Sequence, residues 1–140
     1  MDLKRKVLEA VEARSGDIIS FVQNLVRIPS VNRPPEGDEA KCQELIAEKF
    51  KELGLRIDKF SPDQVEGIQA HPAFLTGRNY ANRENVVGIL RGEGGGRSLI
   101  LTGHVDVVPL GPWDWTVPPW SGELKDGKIY GRGGLDMKAG

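Results

Sequence analysis

An apolar run that breaks off on Gly-His-Val-Asp constrains this chain more than any other feature. Ser98-Leu99-Ile100-Leu101-Thr102 reads as a strand, and Gly103-His104-Val105-Asp106 follows at its end. Alternate residues of a strand share a face, so His104 and Asp106 are expected to point the same way. A Pro- and Trp-rich loop and a hairpin come next, then Gly131-Arg132-Gly133-Gly134-Leu135-Asp136-Met137-Lys138. A His and two Asp carried on Gly-rich backbone are donor types for zinc or a similar divalent ion. Of the 18 Gly, 13 lie from Gly88 onward, which concentrates backbone freedom in the half that holds these donors.

The surrounding pattern predicts an α/β fold, a layered sheet with helices on both faces. Leu3, Val7, Leu8 and Val11 repeat at helical spacing up to a stop at Arg14-Ser15-Gly16. Asp17 is placed to cap a second helix, carrying Ile18, Ile19, Val22, Leu25 and Val26, which Pro29 should end at Ile28. A third helix is expected from Asp38 to Leu53, with Gly54 as its C-terminal cap and Cys42 on its apolar stripe as a small buried hydrophobe. Leu55 and Ile57 suggest a strand.

Asn85–Arg91 suggests another strand, which the flexible Gly92–Gly96 turn invites to pair with Ser98–Thr102. The unbroken apolar Leu99-Ile100-Leu101 suits an interior strand covered above and below. Asp126-Gly127 reads as the turn of a hairpin that returns Asp136 towards His104. Segment 61–83 is polar and irregular; His71 within it reads as a solvated loop histidine.

With 140 residues the chain has room for one domain core. A 39% hydrophobic and 28% charged composition is that of a soluble globular protein. The net charge is −1 and no basic stripe stands out, so nothing supports nucleic acid as a partner. A single Cys forms no internal disulfide, and no stretch resembles a signal peptide or a membrane span. The expected location is the cytoplasm, with no membrane partner.

His-X-Asp alone is a common pairing, but His104 stands where a buried strand runs out, the usual gathering place for ligands in layered α/β sheets. Asp106 has two available jobs. It could bind a metal, or it could accept a hydrogen bond from the second ring nitrogen of His104; its position two residues along suits the second better. For Asp136, capping a helix at Met137 and ligating a metal stand level on spacing alone. Lys138 is expected to be solvated. The three Trp of the loop (Trp113, Trp115 and Trp120) are expected chiefly to tack it to the core.

Thr102–Pro109, the Trp/Pro loop and Asp126–Lys138, with Arg27-Ile28-Pro29-Ser30-Val31 upstream, resemble the metallopeptidase family of acetylornithine deacetylase, succinyl-diaminopimelate desuccinylase, aminoacylase and carboxypeptidase G. The resemblance covers nearly the whole chain apart from segment 61–83. It implies that His104 ligates one zinc, that Asp136 bridges two, and that Asp106 is the catalytic-site carboxylate that orients His104. Cobalt could replace zinc.

The implied reaction is hydrolysis of the amide of a small N-acylated amino acid or amine (acetyl, succinyl or formyl). Two ions about 3.5–4 Å apart would activate a water and polarise the carbonyl. The resemblance further implies a Glu-Glu pair, another acidic ligand, a final His and a dimer-forming domain downstream of Asp136. Residues 1–140 are therefore expected to form the N-terminal portion of the catalytic domain of a homodimeric enzyme, inactive alone. Ala139 departs from the usual Gly of the family. The alternative is a non-catalytic module that keeps the scaffold and binds a ligand through its Trp/Pro loop.

Overall fold

A computed structural model describes residues 2–140. The α/β character expected from the pattern is present. Among the described residues the chain forms helices α1 (Leu3–Ala13), α2 (Ser15–Arg27) and α3 (Ala40–Glu52). Its strands are β1 (Asn32–Arg33), β2 (Glu36–Gly37), β3 (Arg56–Phe60), β4 (Asn85–Ile89), β5 (Glu123–Lys125) and β6 (Lys128–Tyr130). They pair as three two-stranded antiparallel sheets: β1 with β2, β3 with β4, and β5 with β6. None of the helices is long and apolar enough to cross a membrane.

Local chemistry accounts for most of the boundaries. The Asp2 carboxylate accepts from the Lys4 N–H and caps α1. Asp17 falls within the first turn of α2 instead of capping it, where its charge still suits the positive end of the helix dipole. Ile28 leaves α2 with extended backbone, as Pro29 requires. At the end of α3, Gly54 N–H reaches Lys51 O and Leu55 N–H reaches Phe50 O, the paired bonds of a Schellman cap. α3 then lies against β3 and β4. Cys42, fully buried on α3, behaves as the small hydrophobe expected.

Two strand expectations are corrected. β4 pairs with β3, in register Arg56 with Ile89 through Phe60 with Asn85, and not with Ser98–Thr102. Residues 98–102 form no strand, and Leu99, Ile100 and Leu101 are 81%, 86% and 86% exposed. Apolar side chains do not make a strand unless a neighbour accepts its ladder of hydrogen bonds, and among the described residues no backbone hydrogen bond joins 98–102 to another segment.

The small buried core sits where three distant segments meet. Val107 N–H donates to Ser30 O (2.9 Å), Asn32 N–H donates to Val107 O (2.9 Å), and Val31 and Val107 form a parallel bridge. Leu25, Val26, Val31, Cys42 and Val107 are all buried. The Gly-rich segment closes over them. A Cβ on Gly131 would lie 2.3 Å from Val26 Cγ1, and one on Gly133 would lie 2.6 Å from Val107 Cγ1. Gly133 also has φ +82°, so both space and backbone demand glycine there.

Gly133→Ala should therefore lower the unfolding free energy by about 2–4 kcal/mol, combining a left-handed backbone penalty with overpacking. Urea denaturation of the two proteins measures it. A loss well under 1 kcal/mol would mean that the segment is not held against Val107.

Candidate metal centre

His104 and Asp106 lie just before and beside the bridge at Val107, on backbone that Ser30 also holds: Ser30 Oγ donates to Val105 O (2.5 Å). His104 Nδ1 is 3.1 Å from Asp106 Oδ1 and 3.1 Å from Asp106 O. On the other side of the ring, His104 Nε2 is 3.2 Å from Asp136 Oδ1. All three residues named from the sequence meet around one imidazole. Asp106 turns to Nδ1 and Asp136 faces Nε2.

Asp136 does not cap a helix, because residues 137–139 form turns. Its side chain is 85% exposed, against 50% for His104 and 34% for Asp106. Lys138 N–H bonds back to Gly133 O (2.9 Å), so the Gly-rich loop that seats on Val107 also presents Asp136.

Lys138 overturns the expectation of a solvated side chain. It is buried, and its Nζ donates to Leu25 O (2.9 Å) and Ile28 O (2.7 Å) at the C-terminal end of α2. An ammonium there adds a second donor to Leu25 O, which already accepts from Ile28 N–H (3.2 Å), and it complements the helix dipole. Burial pulls the ammonium below its ordinary pKa, an effect that neighbouring Cys42 partly offsets. Trp120 covers the same amine at 5.8 Å, while Arg132 stacks on Trp115 at 5.0 Å. These two indoles tack the Trp/Pro loop down as expected, but Trp113 is exposed.

Segment 61–83, polar and irregular in the sequence, is held in place by contacts with residues distant in the chain. Arg83 forms a two-pronged, largely buried ion pair with Glu39, Nη2 to Oε1 at 2.7 Å and Nε to Oε2 at 2.9 Å. Asn79 N–H donates to Pro35 O (2.9 Å), and Phe74 stacks on Tyr80 at 5.5 Å. So fastened, the segment brings Arg78 to Asn32: Arg78 Nη1 donates to Asn32 Oδ1 (2.7 Å), and Asn32 Nδ2 donates to Asp106 Oδ2 (2.8 Å). Asn32, Arg78, Arg83, His104 and Asp106 line one open cavity of about 250 Å³. No sequence signal pointed to Asn32, because its partner lies 74 residues away. His71 stays exposed in its loop, accepting from Ala73 N–H at Nδ1 (3.2 Å).

Comparison with known proteins bears on what this arrangement is. Residues 100–140 match the sequence model of Peptidase family M20/M25/M40. A succinyl-diaminopimelate desuccinylase of Methylobacillus flagellatus is 36% identical over 102 residues, covering 72% of this chain and 22% of that protein. One of Leptothrix cholodnii is 36% identical over 121 residues, covering 86% of this chain and 27% of that protein. The chain belongs to the M20/M25/M40 peptidase family. It spans about a quarter of the length of the curated relatives it matches.

An M20/M25/M40 chain raises the question of a metal, and the donors answer it in part. Two ligands each about 2.0–2.1 Å from a tetrahedral ion stand about 3.3–3.4 Å apart. His104 Nε2 and Asp136 Oδ1, at 3.2 Å, suit such a pair. Among the described residues no cluster of three or more His, Cys, Asp or Glu side chains is placed to hold a metal ion. The pair is therefore part of a donor set and does not complete one.

The lowered pKa of Lys138 fixes the sign of a pH effect. Between its folded value and the ordinary 10.5, the unfolded chain binds more protons than the folded one, so stability rises with pH across that window. Urea unfolding at neutral and at alkaline pH should show this gain, and Lys138→Met should reduce it. An equal gain in both proteins would mean that Lys138 folds with an ordinary pKa.

Proposed function

We propose that this chain is the N-terminal portion, residues 1–140, of the catalytic domain of a metal-dependent amidohydrolase. The enzyme would remove an acyl group from a small N-acylated amino acid or amine. The observation that carries the reading is the placement of His104 Nε2 against Asp136 Oδ1 while Asp106 holds Nδ1. The names of the relatives put a succinyl group first, and acetyl and formyl groups belong to the same chemistry. Zinc, two ions in the complete site, is the metal that a His and carboxylate donor set suits best, and cobalt is a workable substitute.

In this reading Asp106 accepts a hydrogen bond from His104 Nδ1–H and fixes the tautomer, which leaves the Nε2 lone pair facing Asp136. His104 and Asp136 would hold the ion. When bound, divalent metal would polarise the substrate carbonyl and lower the pKa of a water. The open cavity beside His104, with Arg78 in its wall, would receive the substrate. The remaining metal ligands and the carboxylate that moves the proton to the leaving amine would come from further polypeptide. That polypeptide would pair two subunits in the cytoplasm.

The 140-residue chain should show no turnover of N-succinyl or N-acetyl amino acids with zinc supplied. Polypeptide continued to the length of the desuccinylase relatives should turn them over, and His104→Ala or Asp136→Ala should each lower kcat/KM by about 10²-fold or more. Turnover by the 140 residues alone would refute the divided site. A longer chain that binds zinc but cleaves none of these amides would refute the enzyme.

A further inference from the structure

The hydrogen bonds from Arg78 to Asn32 and from Asn32 to Asp106 have their directions settled by chemistry. A guanidinium only donates, so the atom of Asn32 that meets Arg78 Nη1 at 2.7 Å is the amide oxygen. The amide nitrogen must then face Asp106 Oδ2, at 2.8 Å. An ionised carboxylate only accepts, so Asp106 takes Asn32 Nδ2–H on Oδ2, while His104 Nδ1 stands 3.1 Å from both the Oδ1 and the backbone O of Asp106.

From this row we infer that Asn32 and Arg78 are positioning residues for the metal-facing histidine. Arg78 sets which way the Asn32 amide points. Asn32 in turn locks the rotation of the Asp106 carboxylate, so that Oδ1 stays on His104 Nδ1 and the lone pair of Nε2 is turned to Asp136.

Placement supports the assignment. Asn32 is fixed by its own backbone, whose N–H is bonded to Val107 O next to Asp106. Arg78 is brought in by a segment that the buried Glu39–Arg83 pair fastens to the start of α3. Arg78 is half-buried in the wall of the His104 cavity, and its guanidinium donates to a neutral amide. Neutralising an acid would not bring it there; orienting that amide would. The inference rests on the reading of Asp106 given above and extends it to two residues from outside the Gly-His-Val-Asp segment.

The test reads the tautomer of His104 directly, by two-dimensional nitrogen–proton NMR of the imidazoles in the metal-free 140-residue chain above the imidazole pKa. His71 is the internal reference. Its Nδ1 accepts from Ala73 N–H, so it should sit as the Nε2–H form in every variant. In the unaltered chain His104 has Asp106 Oδ1 and O at 3.1 Å from Nδ1 against the exposed Asp136 Oδ1 at 3.2 Å from Nε2, so Nδ1–H should predominate.

Asn32→Asp keeps the shape and the bond to Arg78 but presents an acceptor to Asp106, and Arg78→Met removes the donor that orients the amide. Each should raise the Nε2–H to Nδ1–H ratio of His104 by roughly three- to tenfold, the effect of one ordinary hydrogen bond. The apparent affinity for zinc, read from the same signals, should weaken by about tenfold, the low end of what outer partners of a metal ligand cost. A packing role alone would leave the tautomer unmoved.

Asp106→Ala separates the two levels. If it shifts the tautomer while both other variants leave it unchanged, the inference is overturned and the reading of Asp106 survives. If it too leaves the tautomer unchanged, that reading fails and the inference falls with it. Should Asn32→Asp not fold, as judged by its backbone amide spectrum, Arg78→Met carries the test, because that side chain comes from a loop outside the core.

Discussion

The short parallel contact between Ser30–Asn32 and Val105–Val107 is what the rest of the structure depends on. Two backbone hydrogen bonds of 2.9 Å and the Ser30 hydroxyl bond to Val105 O join segments 75 residues apart. That contact buries Val31 against Val107 and sets Asn32 beside Asp106. It also provides the surface on which Gly131 and Gly133 settle. Without it, His104 and Asp136 would have no common frame. The side chains of His104 and Asp136 are exposed, but Ser30, Val31, Val107 and Gly133, which hold their segments, are buried. This is the usual division of labour between a rigid scaffold and the loops it carries.

Lys138 shows how closely scaffold and site are joined. Two residues beyond Asp136, the chain turns inward and ties its ammonium to the last carbonyls of α2. The same helix grips the far end of the Trp/Pro loop, with Gln23 Nε2 donating to Gly122 O (2.6 Å) and Arg27 Nε to Ser121 O (3.1 Å). Asp136 is thus presented by a loop anchored at both ends to α2. An exposed carboxylate so presented keeps its place relative to His104 even though few atoms cover it.

Much of this was legible from residue order, and the failures have physical causes. Pro29, Gly54 and Asp126-Gly127 act on backbone within a few residues, so α2, α3 and the β5–β6 hairpin ended or turned near where they should. The meeting of His104, Asp106 and Asp136 was readable because two lie on one short segment and the third follows a glycine-rich approach. Ser98–Thr102 misled because apolarity reports a preference for burial, whereas a strand needs a partner at hydrogen-bonding distance. Lys138 misled because a lysine's usual fate is solvent, and only a helix end packed next to it reverses that preference. Segment 61–83 was opaque because its order comes from Glu39, Pro35 and Asn32, none of them near it in the chain.

By itself the sequence determined which groups are available and what each can do: an imidazole and a carboxylate two residues apart, a second carboxylate after a run of glycines, and turns wherever φ must be positive. Those are properties of single residues and near neighbours, and they survive any arrangement of the remainder. Tertiary structure alone decided which distant groups stand behind them. Asn32 is chosen to hold Asp106, Arg78 to orient Asn32, and the end of α2 to receive Lys138, because a hydrogen-bond partner is selected by proximity in space. That proximity is fixed only when the Ser30–Asn32 and Val105–Val107 backbones meet.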